Sequence, residues 1–448
     1  MKKLLILALG AFAGYLVLAQ STGALEANLI GEPLGQSVSE AVRPNHFIVQ
    51  LQPGTDVQSF ALESGLVPLH IYERVGNGFS TEIAPGLLGK LENDPSVVAV
   101  IPDRLIQAHP KPENPGNKGG GGTTGQVTSD GLARIGGEPG SSPYTGAGVG
   151  IAIVDTGIDL SHADLNVASE CFTAHGSECM DDNGHGTHVA GIAAALNNEI
   201  DIIGVAPGST VYSIKVLNQS GSGYDSDIVA GLEWIYSNAD QVSPAIKVVN
   251  LSLGRSGSVD DNPVMHQAFQ NLVDAGITVV VSAGNSSSQE ISEKIPAAYP
   301  EVMAIASTTA ADGQAARRGA CAGIIIPADT ASYFTTDGAG VTVSAPGEAR
   351  ENVKNSCTIN SEGILSLGLG GGTTRMSGTS MSSPFVAGTA ALLYEKKSAV
   401  LPNEIRFAIS SGADLKDSAP LNGVTASYTF DGVREGVLSV LGALSLIN

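Results

Sequence analysis

The stretch Gly148-Val149-Gly150-Ile151-Ala152-Ile153-Val154-Asp155-Thr156-Gly157-Ile158-Asp159 decides the fold. Beyond Gly148, residues 149–154 are apolar and broken only by Gly150, with no alternation of polar and apolar side chains. A strand with one wet face would alternate, so this continuous run predicts a strand buried on both faces of a parallel sheet. The run stops at Asp155, which places a carboxylate at the strand's C-terminal edge, followed by the turn chemistry of Thr156-Gly157.

Two further segments carry complementary chemistry: His185-Gly186-Thr187-His188-Val189-Ala190-Gly191 and Gly378-Thr379-Ser380-Met381-Ser382-Ser383-Pro384. Residues 184–196 read as a small-residue helix with His185 near its start. Residues 384–394 read as an apolar helix with Pro at an early position, and Ser380 just ahead of it. Helix N-termini favour developing negative charge. A serine hydroxyl is a poor nucleophile at neutral pH. It needs an imidazole to take its proton and a buried carboxylate to fix that imidazole's tautomer. Asp155, His185 and Ser380 supply the three groups, in an order that matches neither the chymotrypsin nor the α/β-hydrolase arrangement. On these three motifs the chain resembles the subtilisin-like serine proteases, the subtilases, from about residue 126 to its C-terminus. The resemblance implies an α/β, three-layer fold with a mainly parallel central sheet, preceded by a small α+β pro-domain. It also implies a serine endopeptidase working through an acyl-enzyme on Ser380.

The same resemblance extends to residues around the reacting groups. Ala283-Gly284-Asn285 follows the apolar strand at residues 277–281 and looks like the family's oxyanion segment, with the Asn285 amide and the Ser380 N–H as donors. Peptides are expected to bind as an added strand between Gly221-Ser222-Gly223 and Ser252-Leu253-Gly254, where glycines let backbone approach backbone. Main-chain recognition of this kind favours broad specificity. Leu253, Ala283 and Gly284 would wall the pocket for the residue before the scissile bond, and Ile228 would line the pocket three residues upstream. Ser292-Glu293-Lys294-Ile295-Pro296-Ala297 departs from the family, where many relatives carry a small residue two before the Pro. Lys294 is expected near the base of the first pocket, turned either outward to solvent or toward acidic side chains of substrate. The bond from Ile295 to Pro296 is expected to be cis.

Composition sets the surroundings. The chain has 448 residues, 56 glycines and 15% charged residues, consistent with a wound α/β core. A net charge of −21 argues against nucleic acid and anionic membrane as partners, since neither attracts a polyanion. Met1-Lys2-Lys3 and an apolar run of about 16 residues ending in Val17-Leu18-Ala19 read as a secretory signal over residues 1–19. The run is too short and glycine-broken for an anchor. The enzyme is therefore expected to be secreted, free of membrane once the signal is removed, and monomeric. Glycines 146, 148 and 150 precede or begin the strand, unlike a dinucleotide-binding fingerprint. Export favours disulfides among the four cysteines. Cys171 with Cys179 and Cys321 with Cys357 is one of three pairings, and the alternative is zinc on Cys171, His175 and Cys179, which lacks a nearby fourth ligand.

Residues 44–108 form a second unit, with strands expected at 46–51, 67–72, 78–83 and 97–101 and helices at 56–63 and 87–93. Phe47-Ile48-Val49 and Val100-Ile101-Pro102-Asp103 resemble the subtilase inhibitory pro-segment, which implies an intramolecular chaperone whose tail occupies the substrate cleft. Residues 109–125, rich in Gly and Pro, read as a flexible linker holding the maturation cleavage, and residues 126–448 as the catalytic domain. The family's strong calcium site maps onto the side chains of Gln126, Asp164 and Asn198 and the carbonyls of Leu196, Ile200 and Ile202. Such an all-oxygen set suits Ca²⁺ as a structural cofactor.

Overall fold

Strand Gly150–Asp155 is buried at every residue. It lies inside a seven-stranded sheet in the order Val341–Glu348, Met303–Thr309, Thr278–Ser282, Ile246–Leu251, Gly150–Asp155, Thr210–Lys215 and Phe172–Thr173. Every neighbouring pair is parallel. The structure is a computed structural model that describes residues 30–31, 41–108, 125–423 and 431–448. The expected signal segment, and the linker as far as residue 124, lie outside the described residues.

Period-two alternation sends successive side chains to opposite faces of the sheet. Ile151 and Ile153 pack with the helices His185–Ala194 and Thr379–Lys396. Ala152 and Val154 pack with Asp225–Asn238 and Pro263–Asp274. The result is the expected three-layer arrangement, helix on sheet on helix. Each fully buried Ile or Val contributes about 1.5–3 kcal/mol, so the strand ends that carry the site's residues sit on a rigid platform.

The N-terminal unit is a four-stranded antiparallel sheet in the order Pro68–Tyr72, Gly78–Glu82, Val42–Leu51, Val97–Ala108. Helices Val57–Glu63 and Pro85–Leu91 cover one face through Val49, Leu51, Ala61, Phe79 and Leu91. The first is capped by Asp56, which accepts from Ser59 N at 2.7 Å. From the opposite face, Ile48, Tyr72, Ile101 and Ile106 join the apolar cluster of helices Asp225–Asn238 and Pro263–Asp274. The last strand, expected at residues 97–101, continues to Ala108: Pro102 and Arg104 pair with Phe47 and Val42, and residues 105–108 pair with the edges Ser222–Tyr224 and Leu253–Gly254.

Cys171 is bonded to Cys179 and Cys321 to Cys357, which removes the zinc alternative for the first two. His175 Nε2 instead contacts Val216 O at 3.0 Å and Asp227 at 3.4 Å. The Ile295–Pro296 bond is cis, as are Ser243–Pro244 and Ala419–Pro420. Among the described residues no helix is long and apolar enough to cross a membrane.

Candidate active site

Asp155 ends its strand 0% exposed, and both its oxygens reach His185 Nδ1, at 2.8 and 2.9 Å. One oxygen also accepts from Thr156 N at 2.7 Å, which fixes the carboxylate's plane. Gly186 explains how a helix start comes so close to the strand: a Cβ there would lie 2.0 Å from Gly157 O. The glycine N-cap, Gly184, has no side chain to satisfy the helix's first N–H groups, and Asp181 does so instead. Its carboxylate accepts from Gly184 N, Thr187 N and Thr187 Oγ1 at 2.9, 3.0 and 2.6 Å, and from Thr156 Oγ1 at 2.8 Å. Asp181 therefore clamps the strand end to the His185 helix. His188, on the same helix, is pushed down to about 3 by burial and by His185, so it stays neutral, and its Nε2 meets Ile364 O.

Ser380 lies in the first turn of helix Thr379–Lys396, not ahead of it as expected, and Pro384 lies inside the helix. A proline interior to a helix has no N–H for the carbonyl four residues back. That carbonyl belongs to Ser380, and Ser252 Oγ donates to it at 2.9 Å, replacing the missing bond. In return, Ser380 Oγ donates to Ser252 O at 3.2 Å. Asn285 Oδ1 accepts from Thr379 N at 3.0 Å and Thr379 Oγ1 at 2.9 Å. A backbone N–H needs an acceptor, so this pair orients the amide. Asn285 Nδ2 is buried without a partner.

The two segments expected to bind peptide stand as edges with one strand between them. Leu105, Ile106 and Gln107 pair antiparallel with Tyr224, Gly223 and Ser222, while Ala108 and Gln107 pair antiparallel with Leu253 and Gly254. Ala108 N donates to Gly221 O at 2.9 Å. The tail of the N-terminal unit thus lies between these two edges as a third strand. Ile106 and Ile228, both 0% exposed, belong to one apolar cluster. Leu253 and Ala283 are fully buried beside them, and Gly284 N donates to Thr379 Oγ1.

Residues 146–428 match the Subtilase family. The chain is a subtilase. Subtilisin DY of Bacillus licheniformis is 38% identical over 280 residues, 61% of this chain and 87% of that protein. M-protease of Shouchella clausii (strain KSM-K16) is 32% identical over 377 residues, 83% of this chain and 82% of its own. An alkaline protease of Alkalihalobacillus alcalophilus is 32% identical over 404 residues, 89% of each chain. This subtilase is a serine endopeptidase acting on polypeptides.

The residues expected to hold calcium converge only in part. Gln126 Nε2 donates to Leu196 O at 2.5 Å and Ile202 O at 2.7 Å. Turning that amide over would aim Oε1 at the same point as the two carbonyls. Asp164 is fully buried; one oxygen accepts from Ile202 N at 3.3 Å and the other, Oδ1, has no partner. Burial pushes the Asp164 carboxyl up to about 7. Asn198 Oδ1 accepts from Ile200 N, and the Ile200 side chain is exposed. Convergent carbonyls beside an orphaned carboxylate oxygen fit a hard cation. Among the described residues, no group of three His, Cys, Asp or Glu side chains is placed to hold a metal ion.

Lys294 resolves to the inward of its two expected orientations. It is 6% exposed, and its Nζ donates to Gln289 Oε1, Ser256 Oγ and Ser286 Oγ at 2.5, 3.3 and 3.3 Å. Burial lowers its pKa from the ordinary lysine value. Sequence reasoning missed Asp181 and Thr379. The Asp181-Asp182-Asn183-Gly184-His185 run carries an N-cap signal that would have located the first. Nothing local marks Thr379 as the anchor of Asn285.

Proposed function

We propose that Asp155, His185 and Ser380 are the catalytic triad of a secreted, calcium-stabilised endopeptidase made as a self-processing zymogen. The buried Asp155–His185 pair, with its carboxylate on Nδ1, is the observation that carries this reading, because it leaves Nε2 as the nitrogen for the serine proton. As Nε2 takes that proton, Ser380 Oγ adds to the scissile carbonyl carbon. The charge that develops on the carbonyl oxygen is met by Asn285 Nδ2 and Ser380 N–H. The C–N bond then breaks as His185 returns the proton to the departing amine, leaving an ester on Ser380. Water, losing a proton to the same imidazole, hydrolyses the ester, and the proton goes back to Oγ.

Residues 44–108 serve as the inhibitory pro-domain, supported by the strand Val97–Ala108 lying between the two peptide-binding edges. Inhibition follows from occupancy, and cleavage within residues 109–125 separates the units. Main-chain pairing at Gly221, Ser222, Gly223, Ser252 and Gly254 accepts most side chains upstream of the scissile bond, which gives broad specificity at those positions. Asp164, Gln126 Oε1 and the carbonyls of Leu196 and Ile202 would hold Ca²⁺, with Asn198 and Ile200 completing the set. Bound Ca²⁺ supplies fixed positive charge that ties the arm at Gln126 to the loop after the His185 helix.

Ser380→Ala tests the reading. With no nucleophile to attack its own linker, the variant accumulates as an uncut chain after signal removal and hydrolyses no peptide. Normally processed, active Ser380→Ala from a protease-free host would overturn the assignment.

A further inference from the structure

We propose that Lys294 makes this subtilase select an acidic residue immediately before the scissile bond. The inference rests on the catalytic reading above and adds to it the substrate class. Strand Leu253–Ser256 carries the pro-domain tail on one edge, Ala108 opposite Leu253, and Lys294–Ile295 on the other, with Ser256 opposite Lys294. A bound peptide in the tail's register runs past Leu253 toward Ser252, whose carbonyl receives the Ser380 hydroxyl. The residue that follows position 108 in that register is the one beside the nucleophile. Its side chain enters the gap between Ser252–Gly254 and Ala283–Asn285.

Lys294 closes the far end of that gap. A Cβ built on Gly284 would lie 3.6 Å from both Cγ and Cδ of Lys294, so the lysine stem lies against the residue next to Asn285. Its ammonium reaches Ser286 on one wall and Ser256 on the other. All three of its acceptors are neutral oxygens. Among the described residues no carboxylate comes within 4.0 Å of it. Neighbouring Arg255 differs, being neutralised by Asp225 at 2.7 Å and Asp261 at 3.2 Å. The opposite charge that acts on Lys294 is that of its chain neighbour Glu293, which makes no ion pair with it, and a substrate carboxylate supplies a direct partner for the desolvated cation. The protein is strongly acidic as a whole, so attraction of an acidic side chain has to come from a local, screened-off charge such as this one.

The test uses the self-matured enzyme and peptides identical except for Glu, Gln, Asp, Leu or Lys before the cleaved bond. The expected kcat/KM for Glu exceeds that for its isostere Gln by about 10- to 100-fold, the worth of a charge-assisted bond in a dry site. Lys294→Gln brings the Glu-to-Gln ratio to about one, whatever it does to absolute rates, while Lys294→Arg retains a ratio above one. Wild-type enzyme that cleaves the Leu peptide and shows no preference for Glu over Gln overturns this proposal and leaves the protease reading standing. A lysine that merely ties the loop to Ser256 would change all five rates together, with the ratio unmoved, and that result also overturns it. Failure to cleave any peptide would instead remove the catalytic reading on which it rests.

Discussion

Asn285 carries two separable duties, and paired substitutions divide them. Its Oδ1 satisfies Thr379 N and Oγ1 at the start of the Ser380 helix, while its buried Nδ2, without a partner, is the proposed oxyanion donor. Asn285→Asp keeps an acceptor for Thr379 and replaces the donor with an anionic oxygen. Asn285→Ala removes both. Loss of one oxyanion donor lowers kcat about 10²- to 10³-fold, equal to about 2.7–4 kcal/mol, a value carried over from a subtilisin. Because that bond tightens only as charge develops, KM should change little. The Ala variant additionally orphans a buried backbone N–H and a hydroxyl, at about 1–3 kcal/mol each. Both variants should therefore lose kcat by at least two orders of magnitude, while only the Ala variant melts measurably lower. The assay is steady-state hydrolysis of a peptide anilide by active-site-titrated enzyme, with calorimetric melting in parallel. An Asp variant within tenfold of wild-type kcat would refute the donor role. Equal melting temperatures in all three proteins would refute the capping role.

Ser252→Ala deprives the Ser380 carbonyl of its substitute for the Pro384 N–H and should cost about 1–3 kcal/mol of stability together with activity; an unchanged melting temperature would show that this bond is dispensable. Removing Ca²⁺ with a chelator should lower the melting temperature and speed self-digestion, by about 2.7 kcal/mol if the ion stands at 100 times its Kd. Chelation without effect, together with calorimetry that detects no binding, would dispose of the site. Glu348 and Glu351 are both 0% exposed and face one another, and burial, joined at Glu351 by the neighbouring Glu348 carboxylate, raises both carboxyls above the ordinary glutamate range. Raised folded-state pKa values mean that the native protein holds extra protons, so this pair's stability is full below about pH 4.3, the unfolded value, and declines as pH rises through the folded values. Glu351→Gln keeps an oxygen for Tyr333 N and adds a donor toward Glu348. It should raise the melting temperature more at pH 9 than at pH 5, and an equal or larger gain at pH 5 would refute the shared-proton reading.

Residues 149–154 announced a strand covered on both faces, because continuous apolarity has no other stable home in a sheet. The helix at Ser380 begins earlier than its Pro384 suggested, whereas the places of Asp155 at a strand end and His185 at a helix start were legible because such positions are set by neighbours in the chain. Small residues such as Gly186, which let that helix start approach the strand, belong to the same local code. What lay beyond the sequence is pairing between residues far apart along it. Residues 105–108 carry no local strand signal of their own, since the partners that extend the strand through them are Ser222–Tyr224 and Leu253–Gly254, more than a hundred residues away. The direction of Lys294 stayed open for the same reason: the oxygens that turn its ammonium inward come from Ser256, Ser286 and Gln289, which meet only when strands 253–256 and 294–295 pair. Asn285 is expected from its motif to be a donor, but its hold on Thr379 arises only when the Ser380 helix places Thr379 beneath its Oδ1. Local propensity and side-chain period act within a few residues and are written in the sequence. A hydrogen bond depends on separations of a few tenths of an ångström, and between distant segments only the packed fold fixes those.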